Sequence, residues 1–338
     1  MTTISELEKR VASPAGVYLL YGENTYTLNR YLRKIRKNFG EIVPGINEVV
    51  LDEDTIQNLI SDMETPAFGY EKKLIIVKQG GLVKKDGRGK KNKNSAIRDK
   101  LQDYLEQNAE AIQQSVVLVI IEDMIDACPL AKTIEQMGTV YQFQEMKTNE
   151  LIQTIGHTFS LYHVKISAEN AKYLLEQVGP DMQNLMNEIW KLVSYKGENG
   201  TIEKEDINQL VVPKIEAVIF DLTDSLGKKE IARAMDVLHG LLYQKEPIQK
   251  IFITLYRHFK KLYWVKWAQI NGKDPSPILN LKPNQTFLMS KYKRQANYFQ
   301  EEDLYQLLAQ FRNLDKQSKT GEIDLQIGLE MTLCQYCS

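Results

Sequence analysis

The segment Val17-Tyr18-Leu19-Leu20-Tyr21-Gly22 constrains this chain more than any other. Its apolar and aromatic run reads as a buried strand, and the glycine that ends it marks a turn. Leu28, Tyr31, Leu32, Ile35 and Phe39 then recur on one helical face, so strand, turn and helix follow each other as in a nucleotide-binding α/β domain. A phosphate loop of the form G-x-x-x-x-G-K-[ST] would place a second glycine and a lysine between strand and helix, to cradle and neutralise phosphates. This chain has Glu23-Asn24-Thr25-Tyr26-Thr27 instead. A carboxylate stands where a triphosphate needs positive charge, and no small residues let the backbone close around an anion. The expectation is a nucleotide-binding frame that no longer binds a nucleotide in the usual way, with no cofactor.

The texture of the chain changes twice. Up to about residue 145 short apolar runs alternate with helical patterns: Val17 to Tyr21, Val49 to Leu51, Leu74 to Val77, Val116 to Ile121 and Val140 to Phe143. That alternation predicts a parallel sheet covered by helices over residues 1–145. No convincing strand is expected beyond 146. Leu151, Ile152, Ile155 and Phe159 keep helical spacing, as do Ala171, Leu174, Leu175 and Val178, and then Leu185, Ile189 and Leu192. Gly179-Pro180-Asp181 separates the last two groups, with proline and aspartate placed as a helix start. Three short helices therefore make a compact domain over 146–213, closed by Val211-Val212-Pro213. Long amphipathic segments fill 214–338, interrupted by a proline-rich loop from Gly272 to Pro283. The fold class is thus α/β followed by all-α.

At 338 residues the chain is too long for one ordinary core. Its 43 basic and 44 acidic residues leave a net charge of -1, so any nucleic-acid contact must come from a local patch rather than a global field. Met1 to Lys9 is polar and no apolar run is long enough to span a membrane, so a cytoplasmic location is expected. Three cysteines suit a reducing compartment without a disulfide framework. One basic, glycine-rich insertion runs from Gly80 to Ser95 and is expected to be a mobile loop. Its Lys84, Lys85, Arg88, Lys90 and Lys91 suit contact with a phosphate backbone, or a solvated connector ahead of a surface helix.

Several phrases carry a resemblance. They are Val17 to Asn24, Phe68-Gly69-Tyr70-Glu71-Lys72-Lys73-Leu74-Ile75-Ile76-Val77-Lys78, Val178 to Glu188, Ile219-Phe220-Asp221-Leu222-Thr223-Asp224, and Leu314 to Asp324. In this order they resemble the delta subunit of bacterial DNA polymerase III. The resemblance implies an AAA+-like parallel-sheet first domain without a working ATP site, a small three-helix lid and a C-terminal helical collar that joins a five-membered clamp-loader ring. It implies no catalytic site in the chain itself, although the family is part of a DNA-directed DNA polymerase, a nucleotidyltransferase holoenzyme. The implied task is to bind the ring-shaped beta sliding clamp and hold one interface open, so that the clamp is placed around primed DNA. The implied partners are that clamp, the gamma or tau subunits that hydrolyse ATP, and delta-prime. Delta-prime itself typically carries a Ser-Arg-Cys tripeptide, which does not occur here.

In the family a hydrophobic pair, typically leucine then phenylalanine, projects just before the strand that here begins near Leu74. This sequence offers Ala67-Phe68 after Thr65-Pro66. Phe68 matches the phenylalanine, and an exposed aromatic is the kind of anchor that fills a partner's pocket. Alanine for leucine removes contact worth about 1.5 to 3 kcal/mol if fully buried. Tyr70 is the nearest residue to compensate.

Other chemistry is weaker. Glu122-Asp123 after Val116 to Ile121 imitates a strand end that holds a metal beside a triphosphate. Without a phosphate-loop lysine it reads as an ordinary central strand with a solvated acidic end. Cys334 and Cys337 have half-site spacing but no companion pair, so no metal is assigned. His157, His163, His239 and His258 suit surface or packing roles better than general-base roles. Arg30, Arg33, Lys34 and Lys37, and Arg257, Lys260, Lys261 and Lys266 beside Tyr256, Phe259, Tyr263, Trp264 and Trp267, suit a phosphate backbone, an acidic partner or plain solvated helix faces. Two further functional classes stay open on residues alone: an AAA+ ATPase or helicase loader with an atypical nucleotide site, and a helical nucleic-acid-binding scaffold.

Overall fold

The computed structural model describes residues 2–84 and 94–337. Lys85, Arg88, Lys90 and Lys91 of the basic insertion lie outside the described residues. The chain forms two compact units, Met1–Glu145 and Met146–Ser338.

In the first unit α1 (Ile4–Ala12) leads into β1 (Gly16–Tyr21), followed by α2 (Thr25–Phe39), β2 (Glu48–Leu51), α3 (Leu59–Glu64) and β3 (Lys73–Lys78). Next come α4 (Ser95–Gln107), α5 (Ala109–Ser115), β4 (Val116–Glu122), α6 (Pro129–Met137) and β5 (Thr139–Gln142). The five strands lie in the order β2-β3-β4-β1-β5, every neighbouring pair parallel. Because both faces are covered, the strands need no polar side, which is why they read as continuous apolar runs. Val17, Leu19, Tyr21, Ile75, Val77, Leu118 and Ile120 point into one core layer with residues of α3, α4 and α6. Tyr18, Leu20, Leu74, Ile76, Val117 and Val119 point into the other with Leu7 and Val11 of α1 and Leu28, Tyr31 and Ile35 of α2.

The second unit opens with α7 (Thr148–Leu161), β6 (Lys165–Ile166), α8 (Ala168–Val178), α9 (Met182–Lys196), β7 (Thr201–Ile202) and α10 (Lys204–Leu210). The three expected helices are therefore joined by a fourth and, against the expectation of no strand beyond 146, by a parallel pair β6–β7. Two residues per strand are too few to show an alternation, so this ladder leaves no periodic signal in the sequence. Seven helices follow: α11 (Ile215–Gly227), α12 (Ile231–Tyr243), α13 (Ile248–Ile270), α14 (Ser276–Leu279), α15 (Leu288–Ala296), α16 (Glu301–Lys319) and α17 (Leu325–Cys337). They enclose one core in which Phe252, Phe259, Phe299 and Phe311 pack ring against ring. The helices after 213 are tied to those before it by a hydrogen bond of 2.9 Å between the Thr148 and Thr286 hydroxyls. A largely buried ion pair, Lys291 Nζ to Glu176 at 2.7 Å, does the same.

Candidate functional site

Phe68 stands on the connection between α3 and β3, at the N-terminal edge of the sheet. The phosphate-loop position after β1 lies at the opposite, C-terminal edge, where ligands of open α/β sheets bind. Phe68 is 90 % exposed, far more than a phenylalanine used for packing. Ala67 is turned inward and buried, and Tyr70 is half-buried. Of the three residues singled out from the sequence, one projects fully, one is buried and one is half-buried.

The local chemistry explains the projection. The Tyr70 N–H donates to the Ala67 carbonyl at 3.2 Å, closing a four-residue turn with Phe68 and Gly69 as its central pair. Gly69 has φ +79°, the positive value that the third position of a type II turn requires and that glycine adopts without a Cβ penalty. Phe68 thus sits at the outer corner with its side chain directed away from the chain. On the N-terminal side the turn leaves α3 through Thr65, whose N–H and hydroxyl both donate to the Ser61 carbonyl at 3.0 and 2.7 Å. Lys73, the first residue of β3, is 5 % exposed and reaches back under the connection. Its Nζ donates to the Asp62 carbonyl at 2.7 Å and the Thr65 carbonyl at 3.3 Å, and lies 3.5 Å from the Asp62 carboxylate. An ammonium there answers helix carbonyls that have no partner of their own and the negative end of the α3 dipole. The sequence shows only Lys72-Lys73 before an apolar run and does not say which lysine goes inside.

At the other edge of the sheet, Gly22 has φ +126°, and a Cβ on it would meet the Phe143 carbonyl oxygen at 2.2 Å. That carbonyl, just past β5, accepts the Asn24 N–H at 3.1 Å. The Asn24 side chain caps α2 by accepting the Thr27 N–H at 3.0 Å. Donors that a phosphate loop would turn toward an anion are here engaged by the protein itself.

The acidic end of β4 differs from expectation. Glu122 is 2 % exposed and accepts the Leu82 N–H at 3.3 Å, so it is a buried tie between β4 and the segment after β3, not a solvated end. Burial raises its carboxyl above the ordinary range, with the backbone N–H groups of Gly81 and Leu82 opposing that shift. Solvent reaches only Asp123, which accepts the Gln79 side-chain amide at 3.2 Å.

Basic candidates are dispersed. Lys84 is exposed, and its carbonyl accepts Arg98 Nη1 at 3.2 Å. On α2, Lys34 pairs with Glu8 at 2.9 Å, while Arg30, Arg33 and Lys37 are exposed. On α13, Phe259 is core, and Tyr263, Trp264 and Trp267 contact one another at the rim. His258 is buried and bonded to Gln295, a packing role. Among the described residues no group of three or more His, Cys, Asp or Glu is placed to hold a metal ion.

A family model described as DNA polymerase III, delta subunit matches residues 18–144. The model of the C-terminal domain of the same subunit matches residues 216–336. The DNA polymerase III subunit delta of Bacillus subtilis is 26 % identical over 322 residues, covering 94 % of this chain and 92 % of its own length. A probable DNA polymerase III subunit delta of Aquifex aeolicus is 24 % identical over 312 residues, covering 90 % and 86 %. In three dimensions the Bacillus subtilis DNA clamp loader delta protein superimposes with a TM-score of 0.70 at 23 % identity, over 99 % of both chains, a likeness of fold.

Proposed function

This chain belongs to the DNA polymerase III delta subunit family, and from that premise we propose that it binds the beta sliding clamp through Phe68 and holds one clamp interface open for loading onto primed DNA. The observation that carries the reading is the aromatic side chain, 90 % exposed, on a braced turn. A rigid exposed aromatic brings large contact area at little conformational cost, the profile of an interface anchor. Ala67, turned inward, adds support under the turn rather than a second projecting group. Tyr70, half-buried beside it, is the neighbouring contact.

In this reading the chain does not hydrolyse ATP; gamma or tau subunits do so in a hetero-pentamer that also holds delta-prime. Supporting it are Glu23 in place of a phosphate-loop glycine or lysine, and the engagement of the Asn24 and Thr27 N–H groups within the chain. Residues 1–145 then form the clamp-binding domain, 146–213 the lid and 214–338 the collar. Lys84, with Lys85, Arg88, Lys90 and Lys91, is the site offered to DNA in the assembled complex. The work of the subunit is in the cytoplasm, at the replisome; among the described residues no helix is long and apolar enough to cross a membrane.

The test is calorimetric titration of the sliding clamp of the same organism, without nucleotide, against wild type and Phe68→Ala. Nucleotide-independent binding is expected, weakened by roughly 2 kcal/mol or more in the variant. Equal binding by both proteins would move the contact away from Phe68, and absence of binding would remove the clamp from the reading.

A further inference from the structure

We infer that Lys73 is the positioning residue of the Phe68 turn: it holds the turn in its projecting conformation before any partner arrives. The inference rests on the clamp-binding reading for its consequence, but on the geometry of α3 and β3 for its substance.

The α3–β3 connection is an exposed loop, and a loop left to itself samples many conformations. An anchor at its tip would then have to be ordered on binding, at a cost of about 0.5 to 1.5 kcal/mol for each immobilised side chain. Here both ends are tied. On the far side the chain enters β3, whose Leu74 N–H donates to the Asn47 carbonyl at 2.7 Å and whose side chains are buried from Lys73 to Val77. On the near side, α3 has only six residues, too short to be stable alone. Its last carbonyls need partners, and Thr65 supplies two donors to Ser61.

Lys73 supplies the rest, and it does so from across the loop. Its Nζ meets the Asp62 carbonyl, the Thr65 carbonyl and the Asp62 carboxylate, a set that matches the three donors of an ammonium. Residue 73 thereby ties the first residue of β3 to the last turn of α3 and to the residue that leaves it. Only Pro66 to Lys72 remain between the tied points, and Pro66 and the Gly69 turn restrict that stretch further. A buried lysine is costly unless fully paired, so its presence there marks a contact that the local structure depends on.

The experiment measures amide hydrogen exchange over residues 61–74 in the full chain, together with clamp affinity in a double-mutant cycle of Lys73→Met and Phe68→Ala. Lys73→Met is expected to raise exchange at the Thr65 and Tyr70 amides at least tenfold, with the amides of β1 and β4 unchanged. It is expected to weaken clamp binding about fivefold when Phe68 is present, and by less than twofold in the Phe68→Ala background, because its effect passes through that ring. Lys73→Arg, which keeps the charge and the donors, should recover most of both losses.

Exchange at Thr65 and Tyr70 that stays at the wild-type rate in Lys73→Met overturns the inference. An equal loss of affinity with and without Phe68 overturns it too, since a general packing defect would act that way. If Phe68→Ala itself binds as wild type, the clamp-anchor reading fails, and the exchange data alone decide whether Lys73 orders the turn. Should Lys73→Met not fold, Lys73→Gln, which keeps amide donors on a shorter, uncharged side chain, answers the same two measurements.

Discussion

Gly22 and His258 illustrate how single residues carry constraints of different origin. Gly22 was legible in the sequence as a turn residue, but the reason it cannot be replaced lies elsewhere in the chain. Its φ of +126° disfavours any side chain, and a Cβ would overlap the Phe143 carbonyl. Gly22→Ala is therefore expected to lower stability by roughly 3 kcal/mol in chemical denaturation. His258 is held by a chain of bonds. Gln295 donates its amide hydrogens to the Phe220 carbonyl at 2.7 Å and the Asp224 carboxylate at 2.8 Å, so its oxygen accepts from His258 Nε2 at 2.8 Å. Burial lowers the His258 pKa from 6.5 to about 4, with the Gln295 bond opposing and Lys261 adding to the shift. Between those values the unfolded chain binds the proton and the folded chain does not. The neutral ring's contribution is complete above pH 6.5 and is lost as pH falls toward 4, on the order of 3 kcal/mol in all. Denaturation midpoints at pH 7.5 and 4.5 should diverge less in His258→Asn than in wild type.

Elements are most legible in the sequence where packing and local pattern agree. All five strands of the parallel sheet stand within a residue or two of their apolar runs; the inner strands β1, β3 and β4 are buried on both faces and give a continuous signal, while the edge strands β2 and β5 are short and partly exposed. The start of α9 was equally plain: Asp181 caps it by accepting the Asn184 N–H at 2.8 Å. Asp181→Ala should cost about 1 kcal/mol in thermal or chemical denaturation without altering the fold. The β6–β7 pair and α10 escaped, since a two-residue ladder and a seven-residue helix carry too little pattern. Glu122 escaped for another reason. A carboxylate after an apolar strand looks solvated until the Gly81-Leu82 segment is seen folded over it with its N–H groups pointing inward.

Across the whole molecule the charges nearly cancel, with 43 basic and 44 acidic residues, so no long-range field steers association. If an apolar anchor dominates clamp binding, the affinity should change by less than about threefold between roughly 50 and 200 mM salt, measured by calorimetry. A much steeper loss would assign the contact to charged groups instead. The sequence by itself determined the class of fold, the α/β and all-α portions and the missing phosphate loop, because periodicity and the absence of glycine and lysine are local facts. It also marked Phe68, through an ordered set of phrases shared with a family. Only the tertiary structure decided that Phe68 projects while Ala67 turns in, that Lys73 rather than Lys72 goes inside, and that Glu122 is buried. Exposure and pairing are set by segments distant in the chain, and no window of sequence contains both partners.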